Sequence, residues 1–472
     1  MNKKFFNSIF NVLMSNMMIV LSGIISGFLL PKLLGVTDYG YYKIFNLYIT
    51  YIVFFDLGIA NGIYLLYGGY ELKDLPKRKF RFYFKVLFSI QLIALLGITI
   101  FALASLQKEY RFIFLMVGIY LLVNNIANYF EKISIMTGEF KAVVKRNVLK
   151  SILNIVIVFI LWWFIHNGVN IQYFKIYTAL FVILYSILAI QYSYSYRSLI
   201  VGETASFIEE KNTLLHIIKI GMMLLLADMI ANLILTLDRQ FVSLLFDVDT
   251  YSIYSFAYSM LRIVILAVSA ISSVLYPTLK RMTSEEMKAS YGYSVAIVGM
   301  IAFACQLTYY PLCIIVKWFL PNYSASLPIF RVLFPSITIN SIISMIMVNH
   351  YKALQKQKIY FVFSAMTLIA AALLNVLAYF ITQNPIGFSV ASVITMFFWY
   401  VISDAYLVKK YGTSTSKYLL YLLINTFGFY LISGFFKNYF CGLGVNILFF
   451  GVICGSLYHN EVKKILLQFK RK

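Results

Sequence analysis

The chain has 472 residues, of which 61% are hydrophobic, 18% aromatic and only 12% charged, with a mean hydropathy of +0.82. No soluble core needs that much apolar surface, so an ordinary globular domain is excluded. The net charge of +22 raises nucleic acid as a partner, but the basic residues gather on alternate loops between apolar stretches. That is the signature of membrane orientation and anionic headgroups, and no nucleic-acid partner is expected.

Apolar stretches of about twenty residues, the length that crosses a hydrocarbon core of about 30 Å, recur fourteen times. They lie near 8–30, 43–66, 83–105, 112–134, 148–166, 171–196, 215–237, 252–277, 290–315, 327–349, 359–381, 386–408, 418–436 and 440–458. Backbone groups inside lipid must be satisfied within their own segment, and the runs lack the alternation of barrel strands, so each reads as a helix.

The first run carries no charge from Ser8 to Leu30; it is too long for a signal-peptide core and is expected to be a retained helix. The second contains Asp56, and a basic cluster of Lys77, Arg78, Lys79 and Arg81 follows it. The fourth carries Asn124, Asn128 and Glu131 at helical spacing, with Lys132 beside them, and Lys141, Lys145 and Arg146 are expected in the loop before the fifth. Asp228, Asn232 and Thr236 repeat every four residues on the seventh, and Ser255, Ser259, Arg262, Ser269 and Ser273 share one face of the eighth. Pro311 and Pro335 interrupt the ninth and tenth as bends or hinges. Asp404 sits near the inner end of the twelfth. Cys305, Cys313, Cys441 and Cys454 show no C-x-x-C spacing and read as packing residues. His166, His216, His350 and His459 stand at helix ends, where an interfacial structural role is expected.

With the amino terminus cytoplasmic, inner loops, tails and helix ends hold 30 of the 40 Lys and Arg, outer ones hold 9, and Arg262 lies within a helix. This bias predicts an even helix count and two cytoplasmic termini. The chain also resembles itself at an offset of 212 residues: Leu33, Val36, Tyr39 and Tyr42 match Leu245, Val248, Tyr251 and Tyr254, both sets at an outer turn. The shared direction predicts parallel repeats. The expected architecture is therefore an all-α integral membrane protein: a six-helix lobe over 1–196, an inter-lobe loop over 197–214, a second six-helix lobe over 215–408, and two further helices with a basic tail over 409–472.

An ionisable group inside the membrane costs roughly 2.5–3.5 kcal/mol on insertion scales and so faces a cavity or a partner. Arg262, about 15 Å along its helix, is either part of a substrate path or paired with Asp228. Asp228 and Asn232, Asn124 and Asn128, and Ser255 and Ser259 belong to stripes that either line the same path or glue helices together. Asp56 and Glu131 are candidates for coupling or gating, with local pairing as the other reading of Asp56. No catalytic constellation, metal site or P-loop appears, so neither a cofactor nor ATP is expected.

Several stretches resemble the polysaccharide and O-antigen flippases of the multidrug, oligosaccharidyl-lipid and polysaccharide exporter superfamily. Leu34-Gly35-Val36-Thr37-Asp38-Tyr39-Gly40-Tyr41-Tyr42 looks like the first outer turn, Asp56-Leu57-Gly58-Ile59-Ala60-Asn61-Gly62 like the second-helix signature, and Leu237-Asp238-Arg239-Gln240-Phe241 like the end of helix seven. Tyr254-Ser255-Phe256-Ala257-Tyr258 and Tyr276-Pro277-Thr278-Leu279-Lys280-Arg281 are similar to the two ends of helix eight. The resemblance implies two lobes that flip undecaprenyl-pyrophosphate-linked glycan across the bacterial cytoplasmic membrane by alternating access, for O-antigen, capsule or exopolysaccharide biosynthesis. It implies proton or sodium coupling, a polysaccharide polymerase and chain-length proteins as partners, pyrophosphate reception by Arg262, and a lipid-tail groove at segments 13 and 14. A cation-coupled multidrug exporter is the alternative, though it would favour acidic cavity residues. A membrane polymerase or glycosyltransferase is the second, though it would ordinarily need a larger outer loop than the longest here.

Overall fold

The computed structural model describes residues 3–169, 171–269 and 282–459, all in helices and the turns that join them. Ser273, the Tyr276 to Arg281 motif and the basic end Lys470, Arg471 and Lys472 lie outside the described residues. Eleven helices are long and apolar enough to cross a membrane, twelve if the bent pair Pro321–Leu333 and Ser336–Ala353 is one span, counted over the described residues. Two of the fourteen expected segments fall outside that count for identifiable reasons. Met14–Asp56 counts once, although 43 residues at 1.5 Å each reach roughly 65 Å, about twice a bilayer core, and Gly35 breaks the helix there with φ 71° and ψ −175°. The eighth segment begins at Val248 and is described only as far as Ser269.

The chain divides into two compact units, Met1–Asn232 and Leu233–Lys472. The first contains α1 (Lys3–Ile49), α2 (Ile59–Leu66), α3 (Lys77–Ser105), α4 (Lys108–Met136), α5 (Phe140–His166) and α6 (Tyr173–Ser195), together with the first part of α7 (Phe207–Leu245). Here α5 packs along α1 and against α6, while α4 packs against α2, α3 and α6. The segment expected as a loop from Arg197 to Leu214 is non-α-helical only to Ser206, because Phe207 already begins α7. That connection is tied down: Arg81 donates to the carbonyls of Ser198 at 3.0 Å and Glu203 at 3.1 Å, and the buried Glu210 accepts from Tyr83 at 2.7 Å and pairs with Lys79 at 2.9 Å.

The expected second helix is broken. A 3-10 turn, Ile52–Asp56, leads through Leu57 (φ 50°) and Gly58 (φ 76°) into α2. A break inside a membrane segment exposes carbonyls that lipid cannot solvate, and buried amides satisfy them. Gln91 donates to Phe55 O at 2.9 Å, while Asn125 donates to Ile52 O at 3.2 Å and to Gln91 Oε1 at 2.7 Å. Beyond the break, α2 meets α7 backbone to backbone. A Cβ on Gly221 would stand 1.9 Å from Gly58 O and 2.5 Å from Gly62 N, so only glycine permits the approach.

The second unit holds the rest of α7 and α8 (Val248–Ser269), α9 (Ser284–Gln306), α10 (Tyr309–Phe319), α11 (Leu327–Leu333), α12 (Ser336–Ile342), a π turn (Ile343–Met347), α13 (Val348–Ala353), α14 (Gln357–Thr382), α15 (Pro385–Tyr411), α16 (Ser416–Phe435) and α17 (Tyr439–Leu457). Both expected proline interruptions coincide with breaks: Pro311 follows the gap between α9 and α10, and Pro335 sits at the 49° bend between α11 and α12. At that bend Gln306 donates to Pro335 O at 3.3 Å and Thr338 Oγ1 at 2.9 Å. The two last helices pack on this unit, with Asn446 donating to Tyr310 Oη at 2.9 Å and Tyr430 to Val332 O at 2.7 Å.

The positions related by the 212-residue offset have matching surroundings in their own units. Tyr39 and Tyr42 are buried just after the break at Gly35, and Tyr251 and Tyr254 are buried just after the gap between Leu245 and Val248.

Candidate polar site in the first unit

The fourth-helix stripe opens into a cavity of about 160 Å³ lined by Val53, Asn124, Ala127, Asn128, Glu131, Arg146, Lys150, Tyr185 and Leu188. Three of the residues singled out from the sequence, Asn124, Asn128 and Glu131, thus share one wall. The adjacent Asn125 points elsewhere, into the broken helix described above. The facing wall is α5, and it corrects one expectation: Arg146 is not in a loop but in the second turn of α5. Both of its terminal nitrogens donate to Glu131, and Nη2 also reaches Asn147 Oδ1 at 3.2 Å. Such a bidentate arrangement matches a planar fork to a carboxylate and fixes both side chains. Glu131 is half-buried and held across the cavity.

Lys150 stands one turn further along α5, about 15 Å from its start, with its ammonium 5.0 Å from the centroid of the Tyr185 ring. Among the described residues no carboxylate lies within ion-pair distance of Lys150. With Glu131 matched to Arg146, the cavity keeps one positive charge in excess, beside two asparagines that both donate and accept. Such a space suits an anion bearing polar substituents.

α5 is fixed in register by amide contacts to α1. Asn147 donates to Asn16 Oδ1 at 2.8 Å and Ser15 Oγ at 3.2 Å, and Asn154 donates to Ser26 Oγ at 3.0 Å. These are the interhelical hydrogen bonds that substitute for a hydrophobic driving force in lipid. Sequence reasoning does not single out Arg146 and Lys150, because the first precedes the apolar run near 148–166 and the second lies at its very start, where a basic residue reads as part of the positive inner flank. A usable signal was present, since Arg146, Asn147, Lys150, Ser151 and Asn154 continue one polar face well into the apolar run.

The other expected residues are distributed as follows. Asp56 is buried at the helix break, where Oδ1 accepts from Ala60 N at 3.2 Å and caps α2, while Oδ2 is buried without a hydrogen-bond partner. Asp228 and Asn232 are exposed on the part of α7 in the first unit, and Thr236 is buried on the part in the second. On α8, Arg262 is exposed, Ser255 is buried, and Ser259 is half-buried with its hydroxyl donating to Ser255 O at 2.9 Å. The neighbouring Asp238 is buried and accepts from Tyr254 at 2.6 Å, from Tyr258, and from Arg239 N at 2.7 Å. Asp404 and His350 also differ from expectation, since both are buried rather than at the water interface.

The second unit contains a different cavity, an apolar groove of about 700 Å³ between α11, α15 and α16, walled by Val390, Val393, Ile394, Phe397, Leu423 and Phe427 among others. Arg331 stands at its edge and donates to Tyr430 O at 3.1 Å.

The described residues form two compact helical units with broken spans, and the chain is a multi-pass membrane protein whose fold is found among solved membrane transporters. Among solved structures it is similar to a lipid II flippase, MurJ, in an inward closed conformation, with a TM-score of 0.72 and 15% identity over 96% of this chain and 99% of that one. An inward-facing multidrug resistance MATE family transporter matches with a TM-score of 0.56 and 12% identity over 87% and 95% of the two chains. A mutant of the Vibrio cholerae MATE transporter VcmN follows at 0.52 and 15% over 86% and 97%. At these identities the likeness is one of fold. No protein-family model and no curated protein sequence matches the chain.

Proposed function

We propose that the protein is a flippase that moves undecaprenyl-pyrophosphate-linked oligosaccharide across the bacterial cytoplasmic membrane by alternating access, supplying O-antigen, capsule or exopolysaccharide synthesis. The observation that carries this reading is the polar cavity of the first unit with its excess cation, Lys150, beside the Glu131–Arg146 pair. A lipid tail that remains in the bilayer while its phosphate and sugars enter such a cavity avoids the desolvation cost of crossing hydrocarbon. The positive balance favours an anionic headgroup over the organic cations of a multidrug exporter. The full-length likeness in fold to a lipid II flippase supports the same direction. In this reading the apolar groove at α11, α15 and α16 receives the tail, and Arg262 of α8 receives pyrophosphate. Asn124, Asn128, Asn232, Ser255 and Ser259 line the path, Asp228 belongs to it or to a pair with Arg262, the cycle is coupled to protons or sodium ions, and Asp56 serves as a gating group. A polysaccharide polymerase and chain-length proteins would take up the product.

The test is translocation of purified lipid-linked oligosaccharide by the full chain in vesicles. Lys150→Met should reduce the rate about tenfold or more, from the roughly 1.5–3 kcal/mol of a charge-assisted hydrogen bond, with unchanged protein abundance. Vesicles that move organic cations and leave the lipid-linked glycan in place would establish the multidrug reading instead.

A further inference from the structure

At one end of the second unit, a carboxylate is buried without a counter-ion. Asp404, on α15, is 7% exposed. Its two oxygens accept from Tyr291 of α9 and from Thr415, just before α16. Among the described residues no cation lies within ion-pair distance of it. Beside it is a second titratable group: His350 of α13 is fully buried, its Nδ1 is 2.8 Å from Tyr411 Oη, and its Nε2 has no hydrogen-bond partner. The ring of Tyr291 joins the two, with centroids 5.0 Å from His350 and 5.6 Å from Tyr411. Two more buried polar atoms on α15, Tyr400 Oη and Ser403 Oγ, also have no partner. The remaining ionisable neighbours are Tyr351 of α13, which donates to Ser403 O at 2.8 Å, and Lys288 of α9, whose Nζ lies 3.8 Å from where a Cβ on Gly412 would stand.

A buried carboxylate held by two hydroxyls and no cation has two accessible states. Ionised, it accepts from both donors and pins α9 and the start of α16 to α15. Protonated, it carries a hydrogen that must itself be donated, so at least one of the two hydroxyls turns away or becomes the acceptor. We propose that Asp404, with Tyr291 and Thr415 as its donors and the His350–Tyr411 pair beside it, is a proton-binding site whose occupancy sets how tightly α9, α15 and the start of α16 are held together. The site rests on geometry alone; its consequence, that a proton gradient drives the transport cycle through this unit, rests on the flippase reading.

Two arms separate the site from that reading. Infrared difference spectra of the purified full chain, taken across the pH range in which it stays folded, detect the carbonyl stretch of a neutral buried carboxyl group without any substrate. A titrating band is expected that Asp404→Asn removes and Asp56→Asn leaves in place. Tyr291→Phe keeps the ring and deletes one donor to the charged form, so it should move the midpoint upward by roughly one to two pH units. Spectra in which Asp404→Asn removes no titrating band overturn the site. In vesicles the readout is the ratio of lipid-linked oligosaccharide translocation with and without a pH gradient, expected to fall to about one in Asp404→Asn; a ratio equal to that of the unsubstituted protein overturns the coupling. Vesicles that translocate no lipid-linked glycan at all would refute the flippase reading, while the infrared arm would still decide the site.

Discussion

At the scale of single residues, the first unit shows how a membrane bundle accommodates charge. Arg146 and Glu131 offset each other through a two-pronged contact, and the amides of Asn147 and Asn154 hold α5 against α1 so that the contact stays aligned. Lys150 is left with an aromatic face and two asparagines, a surrounding that stabilises a cation less than a carboxylate would and therefore leaves it available to an anion. Arg262 poses a different question, because an exposed guanidinium on α8 serves either substrate or a partner side chain. If it receives pyrophosphate, Arg262→Ala should abolish export with normal protein abundance, and Arg262→Lys should restore only part of it, since an ammonium lacks the planar fork. A structural pair with Asp228 predicts poor abundance in each single variant and recovery of both abundance and export in Asp228→Asn with Arg262→Gln. Surface polysaccharide measured beside membrane protein abundance distinguishes the two.

At the scale of elements, breaks are placed where side chains can satisfy them. The interruption before α2 is possible because Gln91 and Asn125 reach its carbonyls, and the bend at Pro335 because Gln306 does the same. The close seam between α2 and α7 has a sharper requirement, since any side chain at Gly221 would overlap the backbone of Gly58 and Gly62. Gly221→Ala should cost roughly 1–3 kcal/mol through overpacking. Gly97→Ala on α3, where a Cβ meets nothing within 4 Å, should be neutral or slightly stabilising. Thermal unfolding in detergent compares them, and equal stability of the two variants would show that the seam yields. The segment from Arg197 to Ser206 illustrates the opposite lesson. It is expected as part of an inter-lobe loop, yet Arg81, Tyr83 and Lys79 of α3 hold it and the start of α7 in place.

For the whole molecule, the asymmetry of basic charge leads to a sidedness that can be measured directly. On a cysteine-depleted background, a cysteine at Lys73, in the exposed turn before α3, should be protected from an impermeant thiol reagent in intact cells. One at Gln107, exposed between α3 and α4, should react. The reverse pattern would invert the topology and with it the assignment of inner and outer ends.

Helix content, membrane class, the places of the breaks at Pro311 and Pro335, and the polar stripe of Asn124, Asn128 and Glu131 all follow from the order of residues alone. They depend on local rules: the length of an apolar run, the geometry of proline, and the 3.6-residue period of a helix. Which polar residues meet depends on contacts between segments far apart in the chain. The pairing of Glu131 with Arg146, the stitching of the second-helix break by Gln91, and the burial of Asp404 between Tyr291 and Thr415 were decided only by tertiary structure. Periodicity says which face of a helix is polar, whereas the neighbour that face receives is set by how the helices pack.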